Sequence, residues 1–219
     1  EFENISANFL GGSIKISSTD QNSNKQNFNV TGDIQANFVK DYFAKTSRSQ
    51  LSPILNAMNG SVKYDGTISF NKLGSDSNIH FDLRNWSMNA PLPAKKLAGT
   101  PLSGNVNIKT FNNDKTSPNQ LSWTGKIGDL YSTQGVLNHD DELRYGLGIG
   151  AAPNLPQQGF QLSLISNELN LDAWQDFLES KTVARVQDTE ASSSNVQITA
   201  QVKKLTLLER HWQDVNVVA

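Results

Sequence analysis

Cysteine is absent from the 219 residues, which excludes disulfides, thiolate metal sites and cysteine nucleophiles. Charge is also scarce, at 18% of residues with a formal net of -2. Both signs are spread along the chain, so no basic patch of the kind nucleic acid requires is present. No run approaches the roughly 18 apolar residues of a membrane-spanning helix, and no basic-then-apolar signal opens the chain. An initiator Met is missing too. The chain starts at Glu1-Phe2 and stops at Val217-Val218-Ala219 inside an apparent strand, as expected of an excised piece of a longer protein. Any targeting signal or anchor would then lie outside it.

Catalytic signatures are equally sparse. His80, His139 and His211 stand far apart, and none has a neighbour at ligand spacing. The acidic run His139-Asp140-Asp141-Glu142 lacks the alternating ligands and the glycine of a calcium loop, and reads as a hairpin tip. There is no G-x-S-x-G elbow, H-E-x-x-H helix or P-loop. Gly146 to Gly150 (GLGIG) has no following helix and no Lys-Ser/Thr pair. Nothing singles out two carboxylates for glycoside hydrolysis. The expectation is a protein that is not an enzyme, with no cofactor and no metal.

What the chain does contain is alternation. Its polarity comes largely from Asn, Gln, Ser and Thr, which suit strand faces and loops. SVKYDGTISF puts Val62, Tyr64, Gly66, Ile68 and Phe70 on one face and Lys63, Asp65, Thr67 and Ser69 on the other. NIHFDLRNW turns Ile79, Phe81 and Leu83 inward, with Trp86 out of phase. LSGNVNIKTF does the same with Val106 and Ile108. GFQLSL contributes Phe160, Leu162 and Leu164, and VQITAQV contributes Val196, Ile198, Ala200 and Val202. A last strand carries Val215 and Val217 after a turn at Glu209 to Gln213. Earlier, ISANFLGGSIKISS reads as a strand pair about Gly11-Gly12, Thr19 to Gln26 as a loop, and FNVTGDI as a strand. Asn112 to Asn119 and Lys181 to Ser194 read as polar loops.

Helical pieces are few. Phe38, Val39, Tyr42 and Phe43 fit a helical period, and Leu51, Ile54, Leu55 and Met58 share a face that Gly60 terminates. Together they make a small helical insertion at 36–59. Pro91 and Pro93 break regular structure at a sheet edge or crossing. Gly148, Gly150 and Gly159 mark bends or close backbone approach. A third piece, 172–180, begins with Asp172 as cap and Gln175 as capping-box partner. Trp174, Phe177 and Leu178 share one face there, and the piece plugs the end of a strand.

The fold class expected is mainly β: a strongly curved, mostly antiparallel sheet, a groove, half-barrel or open sandwich, with two or three short peripheral helices. It would form one domain over 1–219, or part of a larger repeat-built β-groove. The apolar face is either covered as an ordinary sandwich core or open as a groove for an extended apolar ligand, and periodicity does not separate the two. Trp86, Trp123, Trp174 and Trp212 are structural anchors or, on a shared polar face, a sugar platform.

Four stretches resemble one family. They are SPILNAMNGSVKYDGTISF (Leu55, Gly60, Tyr64), NWSMNAPLPAKKLAGTPLSGNVNI, and LRYGLGIGAAPNLPQQGFQLSLISNELNLDAWQDFL (Gly148, Gly150, Pro156, Gly159, Leu171, Asp172, Trp174). The fourth is LTLLERHWQDVNVVA, with Leu207, Arg210, Trp212, Asp214 and Val215. Their order and spacing, from about Ile34 to Ala219, resemble the YhdP-type branch of the AsmA-like proteins. Leu208 or Glu209 stands where the last motif usually has glycine.

The resemblance implies the periplasmic part of a large inner-membrane-anchored protein of the Gram-negative envelope, associated with moving phospholipid between inner and outer membrane without catalysis. The lining for acyl chains would be Val62, Tyr64, Ile68, Phe70, Ile79, Phe81, Leu83, Val106, Ile108, Phe160, Leu162, Leu164, Val196, Ile198 and Val202. Structural roles fall to Gly60, Pro91, Pro93, Gly148, Gly150, Gly159, Asp172, Trp174 and Phe177. Partners implied are phospholipid acyl chains, adjoining repeats of the same polypeptide and envelope proteins. Two other readings stay open: a β-rich structural or protein-interaction spacer without cargo, and a carbohydrate-binding β-sandwich.

Overall fold

The computed structural model describes residues 5–22, 25–44, 52–111, 120–138, 142–179 and 195–219. Strands account for 66% of it, in one large, mostly antiparallel sheet that does not close on itself. The first three strands, β1 (Ile5–Phe9), β2 (Gly12–Asn22) and β3 (Lys25–Gln35), form a meander. Helices α1 (Ala36–Ala44) and α2 (Ser52–Ala57) follow, then β4 (Met58–Asn71), β5 (Gly74–Asp82) and the short β6 (Trp86–Met88). The next meander is β7 (Ser103–Phe111), β8 (Gln120–Ile127), β9 (Tyr131–Leu137) and β10 (Leu143–Ile149). The chain ends with β11 (Gly159–Asn170), α3 (Leu171–Glu179), β12 (Val196–Leu207) and β13 (Arg210–Val218). Strands neighbour one another in chain order, except that β6 leaves the path to pair with β4.

Register explains why the alternating sequence yields one apolar face. A single cross-strand row runs Ala7, Ile14, Gly32, Tyr64, Phe81, Gly104, then Ile127, Tyr131, Ile149, Leu164, Ala200 and Val217. It crosses every strand but β6 and contains no charged residue. The neighbouring row on the other face runs Ser6, Lys15, Thr31, Asp65, His80, Asn105, then Lys126, Ser132, Gly148, Ser163 and Thr199. Because the side-chain period is two, each strand sorts its residues between these faces along these rows, apart from the exposed Val218, which pairs with Thr199 at the edge of the polar row.

Among the described residues no second sheet covers the apolar face. Val196 is 52% exposed, Phe70 46% and Ile5 44%, and among the described residues no large side chain is fully buried. The sandwich alternative is thereby set aside in favour of an open sheet. One compact cluster, Leu164, Ala200, Val202 and Leu205, packs with Ile149, Leu169 and Val215. Leu205 joins it through an irregularity. From the row Ser166, Val202, Val215 to the row Leu169, Leu205, Trp212, all three strands advance three places. An odd step should turn side chains to the opposite face. The left-handed backbone of Asp214 (φ 49°) marks the bend that keeps Leu205 with the apolar side.

Several local readings are corrected. Thr19 to Asn22 and Lys25 to Gln26 are strand rather than loop, since β2 continues to Asn22 and β3 begins at Lys25, where cross-strand pairing overrides local polarity. Gly60 does not end a helix. It lies in β4 opposite Trp86, with φ 89°, where a Cβ would strike the backbone carbonyl of Asn85. Trp86 belongs to β6 rather than following a bulge. The last turn is Leu208-Glu209, and Gln213 is already in β13.

Two neighbouring pairs, β10 with β11 and β11 with β12, are parallel. Residues 150–158 link the first pair without a helix, lying on the polar face. Gly146 and Gly148 leave room there for the backbone carbonyls of Asn154 and Ala151. Ser132 Oγ donates to the Ala151 carbonyl at 3.0 Å, and Gln134 Nε2 donates to the Pro153 carbonyl at 2.9 Å. The expected loops at Asn112 to Asn119 and Lys181 to Ser194, and the run His139 to Asp141, lie outside the described residues.

Candidate ligand groove

The apolar face deepens into a cleft of about 360 Å³. Its wall takes Ile34 from β3, Val62 from β4, Phe81 from β5, Val106 from β7, Gly125 and Ile127 from β8, Tyr131 and Thr133 from β9, and Leu147 from β10. These are seven consecutive strands of the sheet, so the cleft runs across the strands rather than along one. Val39 of α1, Leu83 and Trp86 complete the lining at the helical end. Asn105, Lys126 and Ser132 also border it. They alternate with Val106, Ile127 and Thr133, which directs their side chains to the polar face. Glycine shapes the floor: Gly125 lines it without a side chain, and beyond it on the same face the Trp123 ring lies directly over Gly135.

Of the lining read from sequence, Val62, Phe81, Leu83 and Val106 meet in this cleft. Tyr64, Ile68, Phe70, Ile79 and Ile108 lie on the same sheet face but outside it. Phe28 and Phe70 meet edge to face at 5.9 Å between ring centroids. Leu162 and Ile198 face each other across β11 and β12, and Phe160 lies beside Val196 with its ring 4.7 Å from that of Tyr145. Leu164 and Val202 belong to the packed cluster instead. Ile34, Val39, Trp86, Ile127, Tyr131, Thr133 and Leu147 were not singled out as lining. For Ile127, Tyr131, Thr133 and Leu147, the period of two in residues 121–149 was the available signal, masked by the glycines among them.

Tyr64 is buried, and its hydroxyl lies over Gly32 without a hydrogen-bond partner. Burial pushes its pKa up, reinforced by the charge of Asp33. Tyr131 is pushed up by burial as well, and its hydroxyl donates to the Pro93 carbonyl at 2.7 Å. A second, smaller hollow on the polar face holds Lys15, Thr31, Asp33 and Lys63. Its carboxylate is engaged internally, accepting Ser13 N–H at 3.0 Å and Gln35 Nε2 at 2.9 Å.

Helix α3 departs from its expected role. Asn170 is the cap, its Oδ1 accepting Ala173 N–H at 2.9 Å. Asp172 reaches out of the helix to the Leu208-Glu209 turn. Trp174 is only half-buried; its Nε1 donates to the Leu92 carbonyl at 2.9 Å, and its ring meets Phe177 edge to face at 5.7 Å. It is a strut at the margin rather than a buried plug, because no residue of α3 is buried. Pro91 and Pro93 lie in the segment that crosses to Tyr131. Gly150 (φ 66°) donates its N–H to Leu130 at 2.7 Å, and Gly159 (φ 73°) passes against the Asn195 backbone.

Among the described residues, no group of three His, Asp or Glu is placed to hold a metal ion. The tryptophans do not form a sugar platform. Trp123 stands on the apolar face, Trp86 lines the cleft, Trp174 belongs to α3, and Trp212 is on the edge strand. No helix among the described residues is long and apolar enough to cross a membrane. Compared with known families, residues 1–219 match the family model described as YhdP protein. No curated protein and no solved structure matches the chain.

Proposed function

Since the chain belongs to the YhdP protein family, we propose that its apolar face takes the acyl chains of phospholipid moving between the two membranes of a Gram-negative envelope, without catalysing a reaction. The chain would be the periplasmic part of an inner-membrane-anchored protein. The observation that carries this reading is the uncharged row crossing all twelve strands of the main path, with a cleft cut across seven of them. Six inter-strand steps of about 4.8 Å give that cleft a contour of about 29 Å. An acyl chain covers about 15 Å, half the hydrocarbon core of a bilayer. Each methylene transferred from water to such a lining gains about 0.8 kcal/mol. Without a hydrogen-bonding grid on the wall, a chain slides between equivalent positions.

The test is to purify the protein from a Gram-negative host and extract bound lipid for mass spectrometry. Phospholipid at a stable ratio to protein is expected. Protein that carries none, and takes up none from vesicles, would overturn the proposal. A second reading, a β-rich spacer that pairs with adjoining repeats, draws on the outer edges of β1 and β13, which no strand among the described residues pairs. It predicts the same fold with no lipid retained.

A further inference from the structure

The segment between β6 and β7 bridges two walls of the cleft. At one side the Tyr131 hydroxyl donates to the Pro93 carbonyl at 2.7 Å, and at the other Lys96 and Met88 exchange backbone hydrogen bonds at 2.9 Å. Tyr131 and Trp86 both line the cleft. The strap between them therefore crosses its rim, and it carries a cation. Lys96 Nζ donates to the Trp86 carbonyl at 2.7 Å and to the Leu97 carbonyl at 3.1 Å.

An ammonium has three N–H donors, so one stays uncommitted. Among the described residues no carboxylate forms an ion pair with Lys96; Asp82 acts on it only through space. Arg84 and Lys95 are exposed; Lys95 precedes Lys96 in the chain, and the Arg84 carbonyl accepts Gly99 N–H at 2.8 Å, which ties Arg84 to the strap. A partly buried cation held by two neutral carbonyls, with a carboxylate acting on it only at a distance, keeps an N–H for an arriving anion.

We propose that Lys96 binds the phosphate oxyanion of a phospholipid whose acyl chain occupies the cleft, which rests on the lipid reading above. The oxyanion accepts the third N–H of the ammonium while the chain passes Trp86 into the apolar lining. Arg84 and Lys95 add attraction without fixing geometry. Burial lowers the pKa of Lys96, and a bound oxyanion would raise it again.

The experiment titrates the purified protein by calorimetry with short-chain phosphatidylglycerol, with diacylglycerol of the same chains and with inorganic phosphate. Wild type should prefer phosphatidylglycerol. Lys96→Met should weaken phosphatidylglycerol about tenfold and leave diacylglycerol unchanged, as loss of one charge-assisted hydrogen bond does. Lys96→Arg should keep the preference and show that charge, not folding, is read. An equal loss for both lipids, or no loss for either, overturns the assignment. So does inorganic phosphate binding as tightly as the phospholipid, which would make this a free-anion site. If wild type binds neither lipid, the groove reading fails, and this inference with it.

Discussion

The carboxylate of Asp172 accepts the backbone N–H of Leu208 at 2.7 Å and that of Glu209 at 2.8 Å, tying the start of α3 to the turn between β12 and β13. An acidic residue in a first helical turn usually serves its own helix. Here Asn170 takes the cap, and Asp172 is free to hold a turn far away in sequence. Asp172→Ala should cost about 1–2 kcal/mol in denaturant unfolding, because two charge-assisted bonds at an exposed site are lost. Asn170→Ala should cost about 1 kcal/mol through the cap alone. Additive losses in the double variant are expected, and strong coupling would show that the two residues serve one helix end after all.

That turn is held in an unusual conformation. Leu208 (φ 54°) and Glu209 (φ 59°) are both left-handed, which side chains with a Cβ adopt at a cost of about 1–2 kcal/mol each. The family pattern read from sequence has glycine at this place. Leu208→Gly should therefore stabilise the protein by about 1 kcal/mol, and Leu208 is 76% exposed, so little packing is lost. A lower midpoint for this variant would mean that the leucine makes a contact the geometry does not account for.

Asp33 ties stability to pH. The Ser13 backbone N–H, then the Gln35 side chain, hold its carboxyl below the ordinary 3.8, with smaller help from the Ser13 hydroxyl and Lys63. A depressed carboxyl stabilises the fold above the unfolded pKa, and that contribution is lost as pH falls through the folded value. Wild type should then melt above Asp33→Asn at about pH 7, with the gap closing toward about pH 3. A gap of the same size at both pH values would show that the two variants differ in packing, not in proton binding.

The strands were legible because a half-buried strand must alternate, and Val62 to Phe70 or Phe160 to Leu164 do so without interruption. Their faces followed, since register with a period of two leaves no choice once one residue is placed. The parallel step from β10 to β11 was not legible. Its connection, 150–158, has no helix to announce a crossover, and it depends on the small cross-section of Gly146 and Gly148, which lie directly opposite its donors Gln134 and Ser132 on the neighbouring strand. The tertiary role of Asp172 is hidden for a related reason. Its position fits a cap, and only tertiary structure brings Leu208 within reach. The cleft was legible in kind but not in membership. Tyr131, Thr133 and Leu147 join Val62 only because the sheet curves between β4 and β10.

The two faces of β8 offer a matched test of where lipid would lie. Ile127 is 38% exposed on the apolar face and lines the cleft, while Lys126 beside it projects to the polar side. Ile127→Glu places a carboxylate on the proposed acyl track, where burying it under a hydrocarbon chain costs several kcal/mol. The partial exposure lets the empty protein keep the charge in water, so folding should fall by only about 1–2 kcal/mol. Retained lipid should drop to background in this variant. Lys126→Glu changes charge by two units a residue away and should leave lipid retention within about twofold of wild type, since the polar face stays in water. Lipid-to-protein ratio and melting temperature, measured on the same preparations, separate the effects. Equal loss of lipid in both variants, or none in Ile127→Glu, would place the ligand somewhere other than this face.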